Sequence, residues 1–117
     1  MLYHRPIRHL AVLSMAFSLR QLQYFVAVAE NGSVSSASHI LCISQSTVTE
    51  ALRELELDLG FRLLDRHARG ADLTLKGQYF LRHARKILAD VADARRALGD
   101  GEAKALSGRL SVGVTPL

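Results

Sequence analysis

The sequence is poor in cysteine, proline and tryptophan. Its 117 residues include one cysteine, two prolines and no tryptophan. Because Cys42 stands alone, no disulfide can form within the chain, which is typical of proteins in a reducing compartment. The apolar stretch at residues 7–17 is interrupted by charge and falls short of the roughly 20 residues that span a bilayer. We therefore expect neither a disulfide-stapled secreted scaffold nor a protein of the membrane.

Arrangements of residues that would support catalysis or metal binding are also lacking. No nucleophile paired with a base and no glycine-rich phosphate loop is present. Apart from the weak pair His39 and Cys42, metal-ligand spacing is missing among the five histidines, which are His4, His9, His39, His67 and His83. We expect no enzyme, no cofactor and no metal site.

Positive charge, by contrast, is abundant and unevenly placed. Fifteen Lys and Arg stand against eleven Asp and Glu, for a net charge of +4, and 49% hydrophobic residues suffice for a compact core. Residues 62–86 hold seven basic residues and two acidic ones, a local charge of +5: Arg62, Arg66, Arg69, Lys76, Arg82, Arg85 and Lys86 against Asp65 and Asp72. A basic patch of this kind favours a phosphate-binding surface, although a solvated helix face can look the same.

Residues 33–59 have the pattern of two helices joined by a tight turn. Ser44 is suited to cap the second helix, with Cys42 and Ile43 in the connection. Small or apolar residues stand wherever the two helices must close against each other, at Ala37, Ser38, Leu41, Ile43, Val48 and Ala51. The spacing predicts a helix-turn-helix.

The second of these helices has one apolar and one polar side. The apolar stripe consists of Val48, Ala51, Leu52, Leu55 and Leu59. The polar side consists mainly of Gln45, Ser46, Thr49, Glu50 and Arg53, with Thr47 near the boundary. Short polar side chains of this kind read base edges in DNA. An ordinary amphipathic hairpin would show the same two sides, so a helical protein-interaction module stays open as the alternative.

A further helix precedes the helix-turn-helix and a hairpin follows it. Ser18 and Gln21 form a capping box, and a helix is predicted from about 19 to 30, ending at Asn31-Gly32, with Ser33 capping the next helix. The apolar repeat expected to supply its core is Leu19, Leu22, Phe25, Val26 and Ala29. After Gly60, apolar and polar residues alternate loosely around Gly70, which predicts a β-hairpin wing that carries Arg66, His67 and Arg69. The alternative is a solvated loop whose arginines have no specific role.

The longest helical pattern begins after a Thr74 cap and covers residues 75–98. Its heptad seam consists of Phe80, Ala84, Ile87, Val91, Ala94 and Leu98. We expect this seam to bind a second copy, although the helix could instead pack on its own domain. Gly99-Asp100-Gly101 is expected to stop the helix, residues 99–108 to form a linker, and residues 109–117 to be the first strand of a second domain absent from this chain.

With these pieces in place, residues 17–117 resemble the N-terminal part of LysR-type transcriptional regulators. The matching motifs are L-R-Q-L-Q-Y-F-V-A-V-A-E at 19–30, S-Q-x-x-V-T at 44–49, L-R-E-L-E-L-D-L-G at 52–60, R-L-L-D-R at 62–66 and L-T-L-K-G at 73–77. The resemblance implies a mainly α winged helix-turn-helix domain at 17–74, with three helices and a short β-hairpin wing, followed by a long dimerisation helix at 75–98. Residues 1–16 are then a dispensable extension, and Met15 is an alternative start to Met1.

The resemblance also implies a function and site residues. Such regulators bind a dyad-symmetric promoter site as dimers or tetramers, in the cytoplasm, and respond to a small-molecule effector; RNA polymerase is a further expected partner. Bases would be read by Gln45, Ser46, Thr47, Thr49 and Glu50. The DNA backbone would be contacted by Ser44, Arg53, Arg66 and Arg69, and the effector by Thr115.

Two positions depart from the family pattern. The family commonly has proline at Ser46, where the serine costs little and adds a hydrogen-bonding group. It often has a basic residue at Glu50, whose carboxylate instead suits a proton of cytosine N4. We expect an altered sequence preference, with Arg53 taking over part of the backbone contact.

Overall fold

The computed structural model describes residues 17–104, with side chains up to residue 99. Four helices and one antiparallel hairpin follow in the order α1 (Leu19–Asn31), α2 (Val34–Leu41), α3 (Gln45–Leu59), β1 (Leu64–His67), β2 (Gly70–Leu73) and α4 (Leu75–Lys104). The mainly α winged helix-turn-helix is confirmed. Over these residues no helix combines the length and apolar character needed to cross a membrane. The expected extension at 1–16, the strand at 109–117 and Thr115 lie outside the described residues.

Helix α1 begins and ends as its capping signals predict. The Ser18 hydroxyl accepts from the Gln21 backbone N–H and the Gln21 side chain accepts from the Ser18 N–H, both at 3.1 Å. Gly32 ends the helix in the left-handed region at φ 80°. One expected core residue is wrong: Leu19 is 46% exposed, because the buried stripe runs through Leu22, Phe25 and Val28, which are fully buried.

Helices α2 and α3 close against each other through small residues. Ala37, Ser38 and Val48 are buried at the crossing, where a larger side chain would force the helices apart. Between the helices, Cys42 adopts the left-handed conformation at φ 59°, the only non-glycine residue among those described to do so. The Ile43 N–H then reaches the Ser38 carbonyl at 3.1 Å, which completes the turn.

The wing is a two-stranded antiparallel hairpin joined to the end of α1. Leu64 pairs with Leu73 at its base and His67 with Gly70 at its tip. The Ala71 N–H donates to the Gly32 carbonyl at 2.8 Å. A Cβ at Gly70 would lie 2.3 Å from that same carbonyl oxygen, and Gly70 has φ 147°, so both the close approach and the backbone conformation require glycine here.

Helix α4 is longer than the sequence predicts. It continues to Lys104, so the expected stop at Gly99-Asp100-Gly101 is wrong, as is the nonhelical linker up to that residue. A glycine inside a helix costs about 1 kcal/mol relative to alanine; it weakens a helix without ending it when good helix formers flank it.

The described chain divides into two compact units between Arg85 and Lys86. The first unit includes the helix-turn-helix, the wing and the first turns of α4. There Leu81 and Ala84 are buried, and the half-buried Phe80 ring lies 5.6 Å from the rings of Phe17 and Phe25. The start of the long helix therefore belongs to the core of the first unit.

Candidate nucleic-acid interface

The N-terminal end of α3 presents exposed polar side chains around its cap. The Ser44 hydroxyl accepts from the Thr47 N–H at 3.1 Å and lies 2.8 Å from the Thr47 hydroxyl and 3.1 Å from that of Ser46. Gln45, Ser46 and Thr47 are all exposed. The cap thus fixes the first turn of the helix while leaving donors and acceptors of these three residues open to a ligand.

Thr49 and Arg66 connect α3 to the wing. Arg66 lies on β1, and its Nη1 donates to the Thr49 hydroxyl at 3.2 Å. Thr49 is half-buried, whereas Arg66 is exposed. Two of the predicted DNA-contacting residues, one from the helix and one from the wing, therefore already touch, and the guanidinium retains further N–H donors for a phosphate or a base edge.

Glu50 and Arg53 form an ion pair on the exposed side of α3. The Arg53 Nη2 lies 3.0 Å from Glu50 Oε2 and 3.3 Å from Oε1. Both side chains remain more than half exposed. The structure thus brings together a predicted base-reading residue and a predicted backbone-contacting residue, one turn apart on the same helix.

The wing tip is organised by the His67 imidazole. Its Nδ1 accepts from the Arg69 backbone N–H at 3.2 Å, and its Nε2 lies 3.0 Å from Asp72 Oδ2. A neutral ring with its proton on Nε2 satisfies both contacts at once. The Arg69 side chain is left exposed at the tip, where its position suits contact with a DNA backbone or minor groove.

The basic segment at 62–86 is not one continuous patch. Three of its cations are paired: Arg62 with Asp65 at 3.6 Å, Arg85 with Glu30 at 3.1 Å and Lys86 with Asp90 at 3.7 Å. Among residues 17–99 neither Arg66 nor Arg69 forms an ion pair with a carboxylate. Of the four cations of this segment that form no ion pair within the described part of the chain, Arg66 and Arg69 lie on the wing, whereas Lys76 and Arg82 lie on α4 over the rings of Phe61 and Tyr79.

Residues 19–78 match the model of the bacterial regulatory helix-turn-helix proteins of the lysR family. The chain belongs to the lysR family. Its relatives include the HTH-type transcriptional regulator TfdT of Cupriavidus pinatubonensis, 43% identical over 80% of this chain and 41% of TfdT. Another is the regulator GltR of Bacillus subtilis, 41% identical over 82% of this chain and 32% of GltR. This LysR-family chain thus spans about a third to two fifths of the length of these relatives.

Solved structures of LysR-family proteins have the same fold. The DNA-binding domain of CbnR in complex with DNA is 44% identical, with TM-score 0.63, over 70% of this chain and 98% of that one. The DNA-binding domain of BenM bound to benA site 1 DNA is 36% identical, with TM-score 0.67, over 71% of this chain and 96% of that one. Both of those domains were crystallised in complex with DNA. The structural similarity confirms the winged helix-turn-helix of this LysR-family chain.

Sequence reasoning missed two flanks of the interface. On one side, Ser18, Arg20 and Gln21 at the start of α1 line a groove with Ser46, Thr47 and Glu50. Within that groove the Gln21 amide donates to Glu54 Oε1 at 3.2 Å. On the other side, Ser33 and Ser35 at the start of α2 line a groove with Gln45, Arg66 and Arg69. Only the capping serines signalled these flanks, because nothing local in the sequence shows that three helix starts lie close together.

Sequence reasoning also missed the residues that hold the wing in place. Glu56 Oε2 accepts from the backbone N–H groups of Leu63 and Leu64 at 2.7 and 3.1 Å. The Thr74 hydroxyl donates to the Arg62 carbonyl at 2.7 Å and accepts from the Gly77 N–H at 2.9 Å. A Cβ at Gly77 would lie 2.1 Å from the Leu63 carbonyl oxygen. The Thr74 cap of α4 was predicted. Its second contact, to the Arg62 carbonyl at the start of the wing, was not, because the two residues are 12 positions apart in the sequence.

The predicted dimerisation seam needs one correction. Ala84 is fully buried within the first unit, so it is not available to a partner helix, and Phe80 stacks in the same core. Ile87 and Val91 are half-buried, and Ala94 and Leu98 are exposed. These four residues of the predicted seam lie outside the first unit. Among the described residues, no cluster of His, Cys, Asp and Glu could hold a metal ion.

Proposed function

We propose that this chain binds double-stranded DNA in a sequence-specific manner and regulates transcription. The observation that carries the proposal is the exposed polar start of α3, flanked by the unpaired cations Arg66 and Arg69 of the wing. Helix α3 enters the major groove, where Gln45, Ser46 and Thr47 meet base edges. The wing contacts the backbone or the adjacent minor groove, and Ser44 lies close to the same phosphates. Its relatives are transcriptional regulators and not enzymes.

The protein acts as a symmetric dimer in this proposal. Two copies joined through Ile87, Val91, Ala94 and Leu98 of α4 place two recognition helices on two half-sites of a dyad-symmetric operator. Residues 17–74 are then the DNA-binding domain and α4 the dimerisation helix. A tetramer and a response to a small-molecule effector, with RNA polymerase as a partner, are proposed for the full-length regulator by analogy with the family. Because bacterial operator DNA is cytoplasmic, the regulator works there.

The rival function is a helical module that binds only other proteins. The centre of a protein interface is depleted in charged residues, whereas the face formed by α3 and the wing is polar and cationic. That chemistry suits phosphates and base edges better. The rival predicts that this face has no affinity for DNA.

The deciding experiment is a selection of bound duplexes from a random pool, with the whole chain, at about 50 and 200 mM salt. The proposal predicts enrichment of an inverted repeat and an affinity that falls steeply with salt, since each neutralised phosphate releases condensed counterion. A variant with Gln45→Ala and Thr47→Ala should fold and dimerise as before, because both side chains are exposed, but should lose the enrichment.

A matched control is Gln78→Ala, which alters an exposed residue of α4 that lines neither groove beside the start of α3 and should leave the enriched sequence unchanged. If the wild-type chain enriches no duplex at either salt concentration, or if affinity does not depend on salt, DNA binding is wrong and the protein-interaction module is favoured.

A further inference from the structure

Glu50 and Arg53 together make a donor–acceptor pair on the face that meets DNA. Arg53 uses a single nitrogen, Nη2, for both contacts to the carboxylate, at 3.0 and 3.3 Å. A guanidinium has five N–H donors and a carboxylate about four acceptor sites. Most of the hydrogen-bonding capacity of both groups therefore stays open, and their side chains are 62% and 54% exposed for Arg53 and Glu50 respectively.

The ion pair also offsets the repulsion between the Glu50 carboxylate and the DNA phosphates. A lone carboxylate near DNA is repelled by phosphates. Salt at physiological concentration does not screen this repulsion when the two charges are closer than the Debye length of about 8 Å. Glu54, which follows one turn after Glu50, is a second carboxylate on this helix and is held by Gln21. Arg53 cancels the charge of Glu50, so the helix can present an acceptor to a base without a net negative charge there.

We propose that the Glu50–Arg53 pair reads one C·G base pair in each half-site; this inference rests on the proposed function. In the major groove a C·G pair presents the cytosine N4 donor beside two guanine acceptors, O6 and N7. Glu50 accepts from cytosine N4, and the remaining donors of Arg53 reach the guanine of the same pair. An A·T pair offers its donor between two acceptors, which matches this arrangement less well.

The first test compares base preferences. Duplexes are selected from a random pool with the wild-type chain, with Glu50→Gln and with Arg53→Met. The wild type should fix a C·G pair at one position of each half-site. Glu50→Gln should lower that preference roughly 5- to 150-fold and shift it towards A·T, because a glutamine amide suits adenine. Preferences at the other positions should not change.

The second test measures whether the two residues act as one unit. Affinity for the wild-type duplex is compared for Glu50→Gln, Arg53→Met and the double variant. Arg53→Met should bind most weakly, because it leaves the carboxylate uncompensated near phosphates, and the double variant should recover part of that loss. Asp93→Asn is the matched control: it breaks an equally spaced and similarly exposed pair, Asp93 with Arg96, on the second half of α4, and should not alter affinity or preference.

Each of the following results would overturn the inference. Unchanged base preference in both single variants would mean that the pair only stabilises the helix surface. A double variant that binds no better than Arg53→Met would mean that Arg53 contacts DNA independently of Glu50. A wild-type selection without a C·G position removes this inference alone, whereas a selection that enriches no duplex removes the proposed function with it.

Discussion

Arg66 and Arg69 lie three residues apart on the wing but have different surroundings. Arg66 is held against Thr49 of the recognition helix, whereas the Arg69 side chain is exposed beyond a backbone fixed by His67. Since Arg66 is tied to the helix, we propose that it meets DNA beside α3. Arg69 is the residue placed to make a sequence-independent contact.

At the scale of single residues, Arg69→Ala should therefore weaken binding to all duplexes alike. Loss of one phosphate contact should reduce the slope of log affinity against log salt by about 1. The measurement is fluorescence anisotropy over a salt series, with specific and unrelated duplexes. Arg82→Ala is the control: it removes an equal charge from α4, where Arg82 lies over the Tyr79 ring at 5.1 Å. A slope that changes equally in both variants would mean that Arg69 has no special contact.

Cys42 gives a second prediction at this scale. It holds the left-handed turn of the helix-turn-helix at φ 59° with an exposed side chain, a conformation that costs a non-glycine residue about 1–2 kcal/mol. Cys42→Gly should stabilise the fold by roughly 0.5–1 kcal/mol after the entropy cost of glycine is subtracted. Cys42→Ala, which keeps the Cβ, should not. Thermal unfolding of the two variants decides, and a lower midpoint for the glycine variant than for the alanine variant would contradict the prediction.

Some of the residues that shape this site could be predicted from the sequence and others could not. The Ser18, Ser33, Ser44 and Thr74 caps were found because a cap is a local signal, read from a few neighbouring residues. The left-handed Cys42 was not found, since cysteine gives no local signal for positive φ. Glu56 was not found either, because its role depends on a wing that folds back seven residues later.

At the scale of elements, the wing is held between α1 and α4 by two close approaches to glycine. Gly70 lies against the Gly32 carbonyl and Gly77 against that of Leu63. The hairpin has only four residues in each strand, and an isolated two-stranded hairpin is marginal in water. These contacts, with the Glu56 carboxylate, are what give the wing a fixed place beside α3.

Gly77→Ala should therefore destabilise the protein by about 1–3 kcal/mol, because the new methyl group meets backbone that cannot move cheaply. Gly99→Ala on the same helix is the matched control. Nothing lies within 4 Å of the Cβ it would add, so it should raise helicity and stability by up to about 1 kcal/mol.

Thermal unfolding followed by circular dichroism measures both glycine variants. Equal effects of the two substitutions would show that the Leu63 contact does not constrain the wing.

Elements were easier to predict than their lengths. The helix-turn-helix, the hairpin and the long helix all lie where periodicity and caps put them. The end of α4 was misplaced because Gly99 and Gly101 were interpreted as a stop, although a glycine only weakens a helix. The heptad seam was begun too close to the N-terminal end of α4. Ala84 fits the heptad spacing, but periodicity does not tell which neighbour a helix face packs against.

At the scale of the whole molecule, the proposed dimer depends on the second half of α4. Ile87→Asp together with Val91→Asp should give monomers in sedimentation velocity, because two charges would enter an apolar helix interface. Ala92→Asp places the same charge at an exposed position off the seam and should leave the association state unchanged. A double variant that sediments like the wild type would show that the seam is misassigned.

In the proposed complex, α3 lies in the major groove with the wing beside it. A cleavage reagent tethered to Ser46→Cys or to Arg69→Cys, each with Cys42→Ser, tests it directly on the duplex enriched by selection. We expect major-groove cleavage within each half-site from position 46, and cleavage of the flanking backbone or minor groove from position 69. If the reagent at position 46 cleaves the bound duplex no more than free reagent does, another surface of the protein meets DNA.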